Sequence, residues 1–176
     1  MANDNLPDFI SALLATEQAT CPKDSVRLVQ THISFVLLAG DRVYKFKKPV
    51  DFGFLDFSTL EKRQQYCEQE LQLNRRLCPD IYLDLVTVTQ EGDSYTLNGN
   101  GDIVEYGVKM ARMPEEKMMG NLIQAGQLDR THIDAIVAKL IPFYQQAERS
   151  NKIDDYGTAE SVAVNVLENF DQTKGF

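Results

Sequence analysis

The stretch VYKFKKPVDFGFLDFSTLEKRQQYCEQELQLNRRL, residues 43–77, predicts a strand, a turn and a long helix in succession. Side chains alternate between the two faces of a strand, so Lys45 and Lys47 share one face. Tyr44 and Phe46 share the other face, which we expect to be buried in the core. The lysine face then meets either a cleft or solvent, where the charged ends of the lysines stay in water. The pattern leaves both alternatives open.

The second half of this stretch predicts the helix. Residues 58–61, Ser-Thr-Leu-Glu, have the S-x-x-E form of a capping box, in which the Ser58 hydroxyl accepts a hydrogen bond from a free helix N–H. We therefore expect a helix over residues 59–77. Glu68 and Glu70 lie on it and are candidates to pair with a strand lysine, the alternative being that both are exposed helix glutamates.

Short β-branched or aromatic runs on both sides of this stretch predict a sheet. With the strand already described, we expect strands over residues 26–30, 35–39, 42–47, 82–89, 94–97 and 103–110. Apolar spacing over residues 9–17 predicts a short helix before the first strand. The expected fold class is α+β, with a five- to six-stranded antiparallel sheet and one long helix packed on it.

The pattern changes to helices after residue 113. Apolar residues from Ile133 to Tyr144 recur at helical spacing, and Thr131 offers an N-cap for this helix. Pro142 lies inside it and is expected to kink it. A last helix is expected over residues 159–170.

Composition excludes several classes of function. The 176 residues carry 18 Lys and Arg against 26 Asp and Glu, a formal charge of -8 that disfavours nucleic-acid binding. No run approaches the roughly 20 apolar residues of a membrane span, and no signal peptide is recognisable, so we expect a cytoplasmic protein with no membrane partner. The three cysteines and two histidines are scattered, which predicts neither a disulfide framework nor a metal site.

Two short motifs invite comparison with phosphate sites. Residues 51–53 spell the D-F-G that binds magnesium in protein kinases, but they directly follow the lysine strand, and we interpret them as a turn. Residues 31–34, Thr-His-Ile-Ser, could cradle a phosphate through backbone N–H groups and the Thr31 and Ser34 hydroxyls. An ordinary strand-connecting turn is the alternative. No G-x-x-x-x-G-K-[ST] or G-x-G-x-x-G segment occurs.

Residues 30–34, 43–45, 47–63 and 67–77 resemble the aminoglycoside phosphotransferase-like family of predicted small-molecule kinases, which have a protein-kinase-like fold. The resemblance is greatest to bacterial members in which this domain precedes a P-loop kinase-like domain. It implies a kinase-like N-lobe plus the first helices of a C-lobe. It also implies ATP with magnesium as cofactor, and phosphorylation of the hydroxyl of an unknown small molecule.

The resemblance assigns roles to individual residues. Lys45 matches the strand lysine that binds the α- and β-phosphates, with Lys47 as the second choice. Glu70 matches its helix partner, because ELQLNRRL from Glu70 onward resembles the E-L-x-L-N-R-R-L helix end of the family. The backbone near Ala111 and Met113 matches the hinge that binds adenine.

One departure from the family limits these implications. The family's H-G-D segment supplies the catalytic aspartate, and this chain contains none, since isoleucine follows both histidines. We expect residues 1–113 to form a nucleotide-binding subdomain and residues 114–176 the helical start of a truncated C-lobe, with no catalytic or metal residues and no activity alone. Apolar surface left exposed on that C-lobe part would favour a homo-oligomer. The alternative is a non-catalytic nucleotide-binding or regulatory module.

Overall fold

The computed structural model describes residues 6–22 and 25–174, and these separate into two compact units. The first unit ends at Leu128 and the second begins at Asp129. The boundary between these units is defined by packing. The predicted boundary after residue 113 separates a nucleotide-binding part from a C-lobe part by function, and it stays a prediction. No helix of the described ranges is long and apolar enough to cross a membrane.

A six-stranded antiparallel sheet forms the centre of the first unit, which confirms the predicted α+β class. Its strands lie in the spatial order β1-β2-β3-β6-β4-β5. Their bounds are β1 Val26–Gln30, β2 Ser34–Ala39, β3 Arg42–Lys47, β4 Tyr82–Glu91, β5 Ser94–Leu97 and β6 Asp102–Ala111. The lysine strand β3 therefore lies inside the sheet, between β2 and β6.

Two glycines allow the close approach of β3 to its neighbours. Gly40 opens the two-residue turn between β2 and β3 with a φ of 56°, in the left-handed region that glycine adopts without strain. Gly107 lies opposite Phe46 in the β3–β6 pair, and a Cβ there would approach the phenyl ring to 2.6 Å. Only glycine at this position lets the Phe46 ring lie against the backbone of β6.

Two helices cover opposite faces of the sheet. Helix α1, Asp8–Thr20, buries Ile10 and Leu13 against a cluster that includes Phe46, as the aromatic face of β3 predicted. Helix α2, Leu60–Arg75, packs on the other face, where Cys67 joins Leu71 and Val108 in a second cluster. The lysine face of β3 is thus the face that α2 covers. A short helix α3, Met119–Gln124, completes the first unit.

The second unit contains three α-helices within the described residues, and a 3-10 helix, Asp155–Gly157, between the last two. Their bounds are α4 Arg130–Gln145, α5 Asn151–Asp154 and α6 Ala159–Thr173. Pro142 lies inside α4, as predicted. Helices α3 and α5 escaped prediction because six and four residues are too short to show helical periodicity.

Both predicted helix caps are wrong. The cap of α2 is Thr59, whose hydroxyl accepts the Lys62 N–H, whereas the Ser58 hydroxyl donates to the Asp56 carboxylate at 2.6 Å. The cap of α4 is Asp129, whose carboxylate accepts the Thr131 N–H at 2.9 Å. In each case a nearby aspartate binds the hydroxyl that was expected to cap.

Candidate functional site

The lysine face of β3 meets a carboxylate rather than open solvent. The Lys45 Nζ lies 2.8 Å from Oε1 of Glu70, and the Lys47 Nζ lies 2.7 Å from Oε2 of the same side chain. We call Lys45, Lys47 and Glu70 the lysine–glutamate cluster. Glu68, the other candidate, is exposed and accepts a hydrogen bond from Gln64. The structure therefore brings together both predicted lysines and the glutamate that the resemblance selected.

The two lysines lie in different environments. The Lys47 side chain is 7% exposed, and its ammonium lies 4.8 Å from the centre of the Phe57 ring, a cation–π contact. The Lys45 side chain is 31% exposed. Glu70 between them is 13% exposed. Lys47 is thus enclosed beneath α2, whereas Lys45 keeps an open side.

Hydrogen bonding keeps Glu70 ionised despite its burial. Burial by itself disfavours the carboxylate, but the hydrogen bonds from Lys45 and Lys47 outweigh it and lower the pKa of Glu70. The cluster therefore contains two cations and one anion, and it presents a positive charge on a protein whose total charge is -8.

Further contacts fix α2 above the cluster. Arg63, one of the buried residues of α2, donates from Nε to both carboxylate oxygens of Glu105 at 2.8 and 2.9 Å. At the other end of the helix the Arg75 guanidinium donates to the Tyr82 carbonyl at 2.8 Å and to the Leu83 carbonyl. The helix that carries Glu70 is held to the sheet on both sides of that residue.

Cys67 lies between these anchors and is inert. It has no exposed surface, and burial raises the pKa of its thiol to about 11. Because the thiolate is the reactive form, Cys67 is no nucleophile at neutral pH.

An apolar slot opens on the same face of the sheet. Arg27, Leu38, Val43 and Met110 lie opposite one another in register across β1, β2, β3 and β6. They are part of the lining of a cavity of about 140 Å³, which is completed by Ala111, Arg112, Met113, Glu115 and Met118. Val43 and Lys45 point to the same face of β3, so the slot lies about 7 Å along the strand from the position of Lys45. The slot was not predicted from the sequence.

The predicted hinge residues Ala111 and Met113 both line the slot. The Ala111 N–H donates to the Ile81 carbonyl and the Arg112 N–H to the Asp41 carbonyl, both at 2.9 Å. In the described part of the chain no group accepts a hydrogen bond from the Met113 N–H. Among the N–H groups of residues 111–113, that of Met113 is therefore the one without an acceptor in the described structure.

Thr31 and Ser34 form a closed turn. The Thr31 hydroxyl accepts the Ser34 N–H at 2.9 Å and the Ile33 N–H at 3.3 Å, while the Thr31 N–H donates to the Ser34 carbonyl. A phosphate at this turn would compete with these bonds. The phosphate-binding role of Thr31 and Ser34 stays a prediction.

Residues 51–53 form a loop, as we interpreted them. A bridge between Asp51 and Asp56 closes it, and Gly53 has a φ of 82°. Phe52 and Phe54 stack on its exposed surface with ring centres 6.2 Å apart. Across residues 6–22 and 25–174, no group of three or more His, Cys, Asp or Glu side chains is placed to hold a metal ion.

A wider cavity of about 440 Å³ borders the slot on the side of residues 112–116. Its lining is mostly polar and includes Asp41, Arg112, Glu115 and Glu116. Arg112 is fixed there, because its guanidinium donates to the Ser25 and Gly40 carbonyls.

Comparison with known proteins finds mycobacterial relatives. Uncharacterised proteins of Mycobacterium bovis and of Mycobacterium tuberculosis are each 36% identical to this chain over 134 residues. The alignment covers 76% of this chain and 25% of each relative, so the chain spans about a quarter of the length of the curated relatives it matches. No family model and no solved structure matches the chain.

Proposed function

We propose that the first unit binds ATP, with the adenine in the apolar slot and the phosphates at Lys45. One observation carries this proposal: the slot and the lysine–glutamate cluster lie side by side on one face of the sheet, with Val43 and Lys45 on the same strand. A nucleotide has the same order of parts, because a flat apolar base is joined through a ribose to a negatively charged polyphosphate.

The size and chemistry of the slot support the base. A volume of about 140 Å³ corresponds to about five water molecules, taken at their share of the liquid volume. It suits one ring system and leaves the ribose and phosphates outside, toward Lys45. The Met113 N–H supplies a donor to a ring nitrogen, and the aliphatic side chains of Leu38, Val43 and Met110 supply contact for the faces of the ring.

The wider proposal is a kinase-like N-lobe of the aminoglycoside phosphotransferase-like family. In kinases a strand lysine paired with a helix glutamate positions the phosphates, and the lysine–glutamate cluster supplies both groups. The parent enzyme would phosphorylate the hydroxyl of a small molecule in the cytoplasm. The 176 residues contain no H-G-D segment, so we expect this chain alone to bind the nucleotide without transferring a phosphoryl group.

Magnesium would reach this site with the nucleotide. No cluster of three or more His, Cys, Asp or Glu side chains that could hold a metal occurs among the described residues, so we expect the phosphate oxygens to be the main ligands of the ion. The second candidate function is a non-catalytic nucleotide-binding or regulatory module. The closed Thr31–Ser34 turn favours it, since that turn offers no ready phosphate cradle.

Thermal unfolding with added ligand tests the proposal. A ligand at 100 times its Kd stabilises the folded state by about 2.7 kcal/mol, so Mg-ATP should raise the Tm of the wild type. Lys45→Ala should abolish most of the rise produced by ATP but not the smaller rise produced by adenosine. Lys109→Ala is the matched control, because Lys109 pairs with Tyr44 and lies on the opposite face of the sheet. Its response should equal that of the wild type.

The slot has its own test. Met113→Pro removes the available N–H, whereas Met113→Ala keeps it, so only the proline variant should bind adenosine more weakly, by about 2- to 10-fold for one hydrogen bond. If neither ATP nor adenosine shifts the Tm of the wild type, the nucleotide proposal is wrong. Binding of ATP with no phosphoryl transfer after fusion to the part of a relative that this chain lacks would favour the regulatory module.

A further inference from the structure

One wall of the apolar slot carries a strong hydrogen-bond acceptor. Among the described residues that line the slot, Glu115 has the only carboxylate. Its Oε1 lies 3.0 Å from Nη2 of Arg27 and 3.8 Å from Nη2 of Arg112. A carboxylate accepts about four hydrogen bonds, and in the described structure Arg27 donates one of them. Glu115 is therefore held at the slot and keeps acceptor sites for a ligand.

The Met113 N–H lies close to this acceptor along the chain. Pro114, between the two residues, has an extended, polyproline-II-like backbone with a φ of -59° and a ψ of 128°. The Cα atoms of Met113 and Glu115 are therefore about 6 Å apart. Both residues line the same cavity of about 140 Å³. An N–H without an acceptor and a carboxylate thus border the space that the base would occupy.

This pair of groups matches the hydrogen-bonding edge of guanine. Guanine presents the O6 acceptor beside the N1–H and N2–H donors, whereas adenine presents the N1 acceptor beside the N6–H donor. The Met113 N–H can donate to the acceptor of either base. The two N–H groups of guanine point in parallel, as in a guanidinium, and a parallel pair can bind both oxygens of a carboxylate. Adenine offers Glu115 a single N–H, so guanine can form one hydrogen bond more.

We propose that the slot also binds guanine, that Glu115 recognises its N1–H and N2–H groups, and that the first unit therefore binds GTP as well as ATP. This inference rests on the proposed nucleotide site and makes Glu115 the residue that selects the base. The phosphates of both nucleotides are the same and meet Lys45 in the same way, so the base alone decides between them. The hydrogen bond from Arg27 keeps the carboxylate at the slot whichever base is bound.

Isothermal titration calorimetry with three nucleosides measures base recognition without the phosphates. Guanosine should bind the wild type at least as tightly as adenosine. Inosine has the O6 and N1–H of guanosine but lacks its 2-amino group. The Glu115 side chain is 55% exposed, so we expect the lower end of the range for a hydrogen bond to a charged group, and inosine should bind about 10-fold more weakly than guanosine. Glu115→Gln puts an amide donor in place of one oxygen, so the preference for guanosine over inosine should fall below about threefold, while adenosine keeps its one acceptor.

Glu116→Gln is the matched control, because Glu116 is exposed and lines the wider cavity but not the slot. It should bind all three nucleosides as the wild type does. If Glu115 has only a structural role, Glu115→Gln weakens all three by one factor and the Kd ratios stay those of the wild type. That result, or a wild type that binds adenosine but not guanosine, overturns the inference while the adenine site stands. Equal affinities of the wild type for guanosine and inosine also overturn it, and that comparison needs no variant. A wild type that binds none of the three overturns the nucleotide site and this inference with it.

Discussion

Glu70 is the residue on which the candidate site depends. Its carboxylate oxygens are both engaged, and its pKa is lowered because the two lysine hydrogen bonds outweigh the cost of burial. Ionised Glu70 therefore contributes to the stability of the fold. Because its pKa is lowered on folding, this contribution must decrease as the pH falls.

Acid should weaken the fold through Glu70. The unfolded chain has Glu70 at its ordinary pKa of about 4.5, and the folded chain has a lower value, so below about pH 4.5 the unfolded state binds the proton first. The stabilisation is present above pH 4.5 and is lost as the pH falls through the folded pKa. In Glu70→Gln, the free energy of unfolding in urea should fall less steeply from pH 5 to pH 3 than in the wild type.

Glu68→Gln is the matched control for this measurement, because Glu68 lies on the same helix and is exposed. Its pH dependence should follow the wild type. Equal slopes in Glu70→Gln and the wild type would show that the carboxylate of Glu70 gains nothing from the two lysines.

Single residues were predictable where local pattern decides their placement. Strand alternation placed Lys45 and Lys47 on one face and Phe46 in the core. Alternation did not reveal whether the lysine face met a cleft, since that depends on where α2 packs. Arg63 was missed because a helix arginine is ordinarily exposed, although its spacing of four from Cys67 and seven from Glu70 places it on the buried face.

At the scale of the element, α2 is held along its length. Arg63 binds Glu105 in its first half, Glu70 binds the two lysines in its second half, and Arg75 binds carbonyls of β4 at its end. If the proposed kinase-like function holds, α2 has to be in position for activity. Three anchors favour a helix that is in position before any ligand arrives.

Removal of one partner of the Arg63–Glu105 pair should lower the free energy of unfolding strongly, whereas replacement of both partners should lower it little. Both side chains are buried, and burial already raises the pKa of Glu105, so Arg63→Leu leaves a buried acid without its cation. We expect the free energy of unfolding in urea to fall by about 3 kcal/mol. The double variant Arg63→Leu and Glu105→Leu should recover most of that loss, because apolar residues replace the whole pair. A double variant as unstable as the single one would indicate that Arg63 acts chiefly through its bond to the Phe57 carbonyl.

Helix bounds were easier to predict than helix caps. Helices α2 and α4 each have 16 residues, long enough for helical apolar spacing to show, so their existence was clear from sequence. Their caps are Thr59 and Asp129, one residue after and two residues before the predicted Ser58 and Thr131. The apolar slot was missed for a related reason, because it joins four strands whose register is set by pairing between distant parts of the chain.

At the scale of the whole molecule, the second unit exposes an unusual amount of apolar surface. On α6 the side chains of Val162, Val166, Leu167 and Phe170 are exposed, and on α4 so are Ile133, Val137, Ile141 and Tyr144. Large exposed apolar patches are uncommon on monomers and usually mark interaction surfaces. The predicted homo-oligomer through this surface stays a proposal.

Sedimentation velocity over a range of concentrations tests that proposal. The wild type should sediment increasingly as a dimer or larger species as its concentration rises. Leu167→Lys should shift the distribution to the monomer, because it places a charge in the middle of the apolar side of α6. Gln172→Lys adds the same charge on an exposed polar position of α6 and should leave the distribution unchanged. A wild type that is monomeric at every concentration contradicts self-association.

The buried Cys67 thiol can report how often α2 separates from the sheet. A thiol reagent reaches Cys67 only when α2 separates from the sheet, since the residue has no exposed surface and is almost entirely un-ionised while folded. Replacing Cys21 and Cys78 with serine leaves Cys67 as the single thiol of the chain. Its labelling rate then counts the openings of the helix that carries Glu70. A comparison of this rate with and without ATP would show whether the nucleotide changes how often α2 opens.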